Sequence, residues 1–325
     1  LEMFRGVRGL LSRDGTVSAP ALLRTLLVIP IARYAISPVQ VSSPSPDAGV
    51  FVLGLVAWVY AADVIFTRDD PGAHRWLSFG VLALVTPLVI TFKLTLVVFA
   101  PALALTAAWV LWKGAERPQR MVRRLLVLGA VPALVLLGPW TVRGMVMSGY
   151  PAFPSTALGL PVEWRVPESF VEAEAEIVRV WARGPRDAGT TGEEGSWLGP
   201  WWWRTVSGWG WALGLAGTGL LGGLILYRRS PEKLPEGSRW AAPAPAVAAG
   251  LVFWLWAAPA PRFIEPVTWG ALAWIWLPPL LVMLRRGEAG AEPVSLEEAS
   301  ETDAPPPRTR SAGRESLPDR PERWH

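Results

Sequence analysis

Residues 94–112 read LTLVVFAPALALTAAWVLW, a continuous apolar run that contains no charged side chain. A bilayer core of about 30 Å needs roughly 17–25 helical residues to cross it. The run is long enough, and it lacks the alternation of polar and apolar residues that marks a membrane β-strand. It therefore predicts a transmembrane helix.

Similar runs recur along the chain, and only 18% of its 325 residues are charged. Soluble proteins carry about 25% charged residues. The shortest run reaches spanning length only when it is extended through Phe66, past Asp63. With residues 94–112, the runs predict an all-α, polytopic helical membrane protein with about seven transmembrane helices. They are Ala48–Ala62, Leu77–Phe92, Leu125–Thr141, Thr205–Tyr227, Trp240–Pro261 and Pro266–Leu284.

The boundary between two of these runs is marked only by Lys93. A single helix over residues 77–112 would be about 54 Å long at 1.5 Å per residue, which is too long for one span. We therefore expect two helices with a break near Thr91–Thr95.

The composition excludes several classes of site. The chain has no cysteine and two histidines, His74 and His325, so disulfides, thiolate metal sites and the usual zinc sites are excluded. The net charge is +4, but the basic residues flank apolar runs instead of forming one stripe. This distribution indicates membrane lipids as partners and no nucleic acid.

Arginine placement predicts the topology. Short basic connections at Lys113–Arg124, Arg228–Arg239 and Arg285–Arg286 are expected in the cytoplasm by the positive-inside rule. Residues 144–204 then form an external loop, which carries more acidic than basic residues. The turn at Pro259–Pro266 falls on the same external side.

The chain divides into five predicted regions. Residues 1–46 are an amino-terminal remnant, in which the interrupted apolar stretch 19–36 predicts an interfacial helix or part of another span. The chain starts at Leu1, and we expect a further amino-terminal part before it. The other regions are a four-helix transmembrane region at 47–143, the external loop 144–204 with an amphipathic helix at 167–183, a three-helix transmembrane region at 205–286 and a disordered cytoplasmic tail at 287–325.

Two candidate site residues lie at span boundaries. Asp47 follows a Ser- and Pro-rich segment, which is typical of a helix start but also leaves a carboxylate at the membrane surface, able to bind a cation with phosphate. Lys93 is a cation between apolar spans, which is costly unless it reaches the surface or has a partner. The sequence fits both a structural role and a functional role for each of these residues.

Two arginines are candidates for phosphate binding. Arg143 ends a span, where it is either an interfacial anchor or a ligand for a lipid phosphate. Arg262 lies in an external turn with Pro259 and Pro261 before it, which would restrict the direction of its side chain. With Lys93 they place three cations near one membrane face, enough to attract a phosphate head group.

Aromatic residues are dense where the chain re-enters the membrane at Trp201, Trp202 and Trp203. Interfacial anchoring explains them, and stacking on a sugar ring is the alternative function. The acidic run Glu168–Glu176 is interpreted as a solvated helix face, with metal binding as its alternative.

An ordered set of short motifs resembles a family of bacterial polytopic membrane proteins related to type C (GT-C) glycosyltransferases. The resemblance covers roughly residues 40–284. The motifs are Ser43-Pro-Ser-Pro-Asp47, Thr91-x-Lys-Leu-Thr95, Pro139-Trp-x-x-Arg143, Ser148-Gly-Tyr-Pro151, Trp164-x-Val-Pro167, Trp181-x-Arg183 and Pro261-Arg-Phe263.

The resemblance implies a GT-C-like helical membrane domain whose external loops face a polyprenyl-phosphate-linked sugar. It implies transfer of the sugar to a hydroxyl with inversion, in the bacterial inner (cytoplasmic) membrane. Asp47 would be the candidate acid/base or metal ligand, for Mg²⁺ or Mn²⁺. Lys93, Arg143 and Arg262 would bind the phosphate.

Two departures from that family keep alternatives open. The acid usually assigned as catalytic lies in a first external loop, upstream of the residues present here, and Gly144 replaces an expected asparagine. The leading hypothesis is a membrane glycosyltransferase. The alternatives are a non-catalytic membrane subunit and a transporter or polymerase of lipid-linked saccharides.

Overall fold

The computed structural model describes residues 17–37, 45–67, 73–184, 197–229 and 237–290. Within these ranges every regular element is a helix. Three short 3₁₀ turns at Leu94–Leu96, Gly237–Ala241 and Pro261–Phe263 precede α5, α9 and α10. The helices are α1 (Ala19–Leu26), α2 (Val28–Ala35), α3 (Asp47–Phe66), α4 (Ala73–Phe92), α5 (Phe99–Lys113), α6 (Pro118–Ser148), α7 (Glu168–Arg183), α8 (Leu198–Arg229), α9 (Ala244–Ala257) and α10 (Glu265–Gly290).

Seven helical segments in the described part of the chain are long and apolar enough to cross a membrane. This confirms the predicted all-α class with about seven spans. Most of the predicted tail, residues 291–325, lies outside the described residues. The seven segments are Asp47–Phe66, Ala73–Phe92, Leu94–Lys113, Pro118–Ser148, Leu198–Leu226, Arg239–Ala257 and Glu265–Leu284.

The central helix of the core is α3. It is apolar around its whole circumference, as expected for a helix with neighbours on every side, and Leu55, Trp58 and Ile65 are fully buried. Helices α1, α4 and α5 pack against it. Asp63 is buried near its carboxyl end, where Arg24 of α1 pairs with it at 2.5 Å.

The amino-terminal stretch runs alongside α3 in the opposite direction. Arg24 meets Asp63 near the end of α3, and ten residues later Tyr34 stacks on Phe51 near its start, with ring centroids 4.6 Å apart. Between them Leu27 is buried at the junction of α1 and α2. These residues therefore line the bundle as a broken pair of short helices.

The predicted break at Lys93 is confirmed. Lys93 has extended backbone angles of φ −161° and ψ 128°, which end α4 and redirect the chain into the turn before α5. No glycine is needed there, because an extended conformation is open to any residue.

Helix α6 is longer than its predicted run and packs along α4. Its large apolar side chains are mostly exposed, as expected for a helix that faces lipid. It ends at Gly149, whose φ of +79° is the left-handed conformation that favours glycine. The chain then folds back, and the Tyr150 hydroxyl donates to the carbonyl of Val166 at 3.3 Å.

Candidate functional site

Three of the candidate residues meet at one end of the bundle. The ammonium of Lys93 pairs with Oδ1 of Asp47, and Nη1 of Arg262 lies 3.9 Å from Oδ2 of the same carboxylate. The three come from the start of α3, the break after α4 and the turn before α10. One carboxylate thus holds two cations that are far apart in the sequence.

Close contact between α3 and α10 brings these ends together. A Cβ on Gly54 would lie 2.6 Å from Cβ of Pro266, and a Cβ on Gly270 would lie 1.9 Å from the Trp58 indole nitrogen. The same indole donates to the carbonyl of Pro266 at 3.2 Å. Both glycines are therefore required by packing, and the start of α10 is held beside the start of α3.

Aromatic rings position the two cations. The ammonium of Lys93 lies 4.0 Å from the centroid of the Phe263 ring. The guanidinium of Arg262 lies 4.2 Å from the Trp181 ring and 4.9 Å from Phe263. Cation–π contacts of this kind stabilise partly desolvated cations. The Trp181 contact also ties α7 to this end of the bundle.

A small cavity of about 10 Å³ lies within this cluster, which is enough to hold about one water molecule. Besides the charged residues above, Tyr34, Thr95 and Glu265 line it. The Thr95 hydroxyl is buried and has no hydrogen-bond partner among the described residues. Within the same residues, the Glu265 carboxylate makes no hydrogen bond or ion pair, and its charged neighbours are Arg33 and Asp47.

The sequence interpretation missed Glu265, Thr95 and Tyr34. Glu265 begins α10, and an acidic residue directly before a long apolar run was a usable signal. Thr95 was recognised only as part of a motif and as one end of the expected helix break. Tyr34 lies in the amino-terminal stretch, and no local pattern indicates that it returns to Asp47.

Charge and burial act on the ionisable groups of the cluster. Burial lowers the pKa of Lys93, Arg262 lowers it further, and the hydrogen bond and charge of Asp47 oppose that shift. Burial raises the pKa of Tyr34, and the nearby charges of Asp47 and Glu265 raise it further. Tyr34 therefore stays protonated at neutral pH.

The structure does not bring Arg143 into the cluster. Its side chain is exposed on α6, near the turn that starts at Gly149. The neighbouring Gly144 has a packing role, because a Cβ there would lie 2.8 Å from the carbonyl oxygens of Tyr150 and Pro151. The absence of asparagine at this position follows from that approach.

The three consecutive tryptophans have different environments. Trp201 is buried, and its indole donates to the carbonyl of Pro259 at 2.6 Å. Its ring packs against Trp254 at 5.7 Å. Trp202 and Trp203 are exposed. A flat ligand therefore has access to Trp202 and Trp203 but not to the buried ring of Trp201.

An apolar cavity of about 270 Å³ adjoins the charged cluster, between α8 and the pair α9 and α10. Pro261 and Ile264, which flank the Arg262–Phe263 pair, belong to its lining. Helices α8 and α10 touch below it, where a Cβ on Gly219 would lie 2.9 Å from Ile275. The cavity is thus an apolar space between three helices, beside the turn that carries Arg262.

The described residues do not fit a divalent cation. No group of three or more His, Cys, Asp or Glu side chains in the described ranges could hold a metal ion. Mg²⁺ and Mn²⁺ prefer sites rich in oxygen ligands. The Lys93 ammonium already occupies one oxygen of Asp47, and Arg262 faces the other.

Comparison with known proteins yields a family but no relative of known activity. No curated protein matches the chain, and no solved structure matches it. A family model described as a domain of unknown function (DUF8201) matches residues 12–269, a range that includes Asp47, Lys93, Arg262 and Glu265. Because that match covers most of the chain, the protein belongs to the DUF8201 family.

Proposed function

We propose that this protein is a GT-C-like membrane glycosyltransferase that takes a sugar from a polyprenyl phosphate on the non-cytoplasmic face of the bacterial inner membrane. The observation that carries the proposal is the convergence of Asp47, Lys93 and Arg262 at one end of the helical bundle. Each was a candidate from its own sequence context, and they lie far apart in the chain.

The two cations suit the phosphate of such a donor. When the sugar leaves, the phosphate oxygen that carried it gains negative charge, and nearby cations stabilise that charge. The side chain of Arg262 is about half exposed, at 46%, so it can meet a phosphate at the surface. Its planar group favours two parallel hydrogen bonds to phosphate oxygens.

The apolar cavity suits the lipid part of the donor. It lies between three helices that are long and apolar enough to cross a membrane, has a mainly apolar lining, and begins at the residues next to Arg262. A hydrocarbon chain placed there would have its phosphate end beside Arg262 and Lys93. The arrangement of a cationic end and an apolar cavity matches a lipid with an anionic head group.

Asp47 acts in this proposal by positioning the cations. Both of its oxygens face cations, which stabilise its ionised form and make it a weak proton acceptor. No step passes through a metal ion.

The test is sugar transfer by the full chain in lipid nanodiscs, with a panel of polyprenyl-phosphate monosaccharides as donors. Asp47, Lys93, Arg143 and Arg262 are each changed to alanine. We expect Lys93→Ala and Arg262→Ala to lower kcat/KM about 10- to 100-fold, because each removes a charged hydrogen bond of about 1.5–3 kcal/mol. Asp47→Ala should have a similar effect, because both cations lose their common partner.

Arg143→Ala should have a smaller effect, since Arg143 lies outside the cluster. Arg179→Ala is the matched control, because Arg179 is an exposed cation on α7 whose ion pair, among the described residues, is with the exposed Glu176. Unchanged transfer in all cluster variants would contradict the site. Donor binding without any turnover by the unaltered protein would instead support a non-catalytic membrane subunit.

A further inference from the structure

We propose that Glu265 is the catalytic base that deprotonates the acceptor hydroxyl. This inference rests on the proposed glycosyl transfer and adds the group that the sequence interpretation lacked. The observation that carries it is geometric. Among the described residues, the carboxylate of Glu265 and the hydroxyl of Thr95 have no partner, and both residues line one cavity of about 10 Å³ next to the two cations.

The free carboxylate distinguishes Glu265 from Asp47. Asp47 is engaged by Lys93 and Arg262, whereas the Glu265 carboxylate has no hydrogen bond or ion pair in the described part of the chain. The Glu265 side chain is half-buried, so its carboxylate remains accessible to a ligand. Glu265 is therefore the acid of this site that can accept a proton.

The unpaired hydroxyl of Thr95 is the second observation. It is buried, it lines the same cavity, and no described residue satisfies it. An oxygen atom placed in the cavity could donate its proton to Glu265 and accept a hydrogen bond from Thr95. A buried oxygen needs two or more such partners, and the cavity offers them.

The cavity size selects what enters. About 10 Å³ admits one water molecule or one hydroxyl oxygen, but not a sugar ring. We therefore expect only the reacting hydroxyl of the acceptor to enter, while the rings of donor and acceptor remain outside, near the exposed face of Arg262.

The reaction balances without any further reagent. The acceptor O–H bond breaks and its proton goes to Glu265, while the acceptor oxygen forms a bond to the anomeric carbon of the sugar. The bond from that carbon to the phosphate oxygen breaks, and its electron pair leaves with the polyprenyl phosphate. Lys93 and Arg262 stabilise the charge on that phosphate, and Glu265 later releases its proton to water.

Other charged or titratable groups around Glu265 come from several segments of the chain. Arg33 and Tyr34 lie on α2, Asp47 begins α3, Lys93 follows α4, and Arg262 precedes α10. Arg33 is exposed and Lys93 is held by Asp47, so neither neutralises Glu265 through a direct ion pair.

The experiment compares Glu265→Gln with the unaltered full chain in nanodiscs. We expect kcat to fall about 10²- to 10⁴-fold, the usual contribution of a general base. Affinity for a polyprenyl-phosphate sugar should stay within about twofold, because a base contributes to the transition state more than to ground-state binding. Lys93→Ala should instead reduce donor affinity as well as kcat, because the ammonium faces the phosphate both in the bound donor and during transfer.

A second variant excludes a merely structural role. Glu265→Ala removes the carboxylate and opens space, so added formate should restore part of kcat. Formate should have no effect on Glu172→Ala, a variant of an exposed acid on α7. Partial rescue together with intact donor binding would support the proposal.

Failure of the role of Glu265 and failure of the proposed function give different results. If the unaltered protein transfers sugar and Glu265→Gln keeps its kcat within about threefold, the role of Glu265 is overturned and the proposed function remains. If the unaltered protein neither binds nor transfers any polyprenyl-phosphate sugar, the proposed function and this inference both fail.

Discussion

At the scale of single residues, the site depends on charges that compensate one another. The side chains of Asp47 and Lys93 are only 15% and 19% exposed, so each is partly removed from water. Loss of one partner leaves the other charge unpaired in a poorly solvated place. This lowers the free energy of unfolding more than loss of both partners does. The pair is therefore expected to be strongly coupled in stability as well as in function.

A double-mutant cycle tests this coupling. Asp47→Ala and Lys93→Ala should each destabilise the protein. The double variant should lose less stability than the sum of the losses in the two single variants. We expect a coupling free energy of about 0.5–3 kcal/mol, measured by reversible unfolding in detergent micelles. The control is Glu176 with Arg179, an exposed pair at 3.1 Å on α7, which should couple by about 0.2–0.5 kcal/mol. Equal coupling in the two cycles would contradict this account.

At the scale of helices, the site depends on how closely α3 and α10 approach. Gly54 and Gly270 lie where the partner helix leaves no space for a side chain. Small residues at such crossings let helices pack closely in membranes, where packing is the main attraction between them. Asp47 is the first residue of α3 and Glu265 is the first residue of α10. The crossing therefore brings both residues to the same cavity.

Substitution at the crossing should therefore disturb both stability and the site. Gly270→Ala places a Cβ 1.9 Å from the Trp58 indole, which should cost about 1–3 kcal/mol and move α10 away from α3. We expect lower thermal stability together with weaker binding of polyprenyl phosphate. Gly217→Ala on α8 is the matched control, because nothing lies within 4 Å of its Cβ. Similar effects of the two variants would show that the crossing does not position the site.

At the scale of the whole molecule, the proposed function requires the charged cluster to face away from the cytoplasm. Arg262 contacts Trp181, so α7 and the cluster lie at the same end of the bundle. The positive-inside rule places the Lys113–Arg124 connection in the cytoplasm and the 144–204 loop outside. The direction of the chain across the membrane remains a prediction from charge.

Cysteine labelling tests that direction, and the chain has no native cysteine to interfere. Glu172→Cys on the exposed face of α7 should react with a membrane-impermeant maleimide added to intact spheroplasts. Arg120→Cys at the exposed start of α6 should react only after the membrane is opened. The reverse pattern would place the cluster in the cytoplasm and would exclude transfer on the outer face.

The site was only partly predictable from sequence. Asp47, Lys93 and Arg262 were recognisable because charge beside a long apolar run is costly and therefore conspicuous. Arg143 met the same criterion, but it is exposed on α6 and is not among the residues that line the cluster's cavity. Glu265 and Thr95 were missed as members of the site, because only the approach of α10 to α3 gives them a common cavity.

By itself, the sequence determined the helical class, the seven apolar spans and the break at Lys93. The physical reason is that a bilayer offers no hydrogen bonds to the backbone, so every long uncharged run must form a helix. Only the tertiary structure decided which charges pair and which polar groups share a cavity. These contacts depend on where glycines such as Gly270 let two helices touch. The spacing of residues along the chain does not predict where that happens.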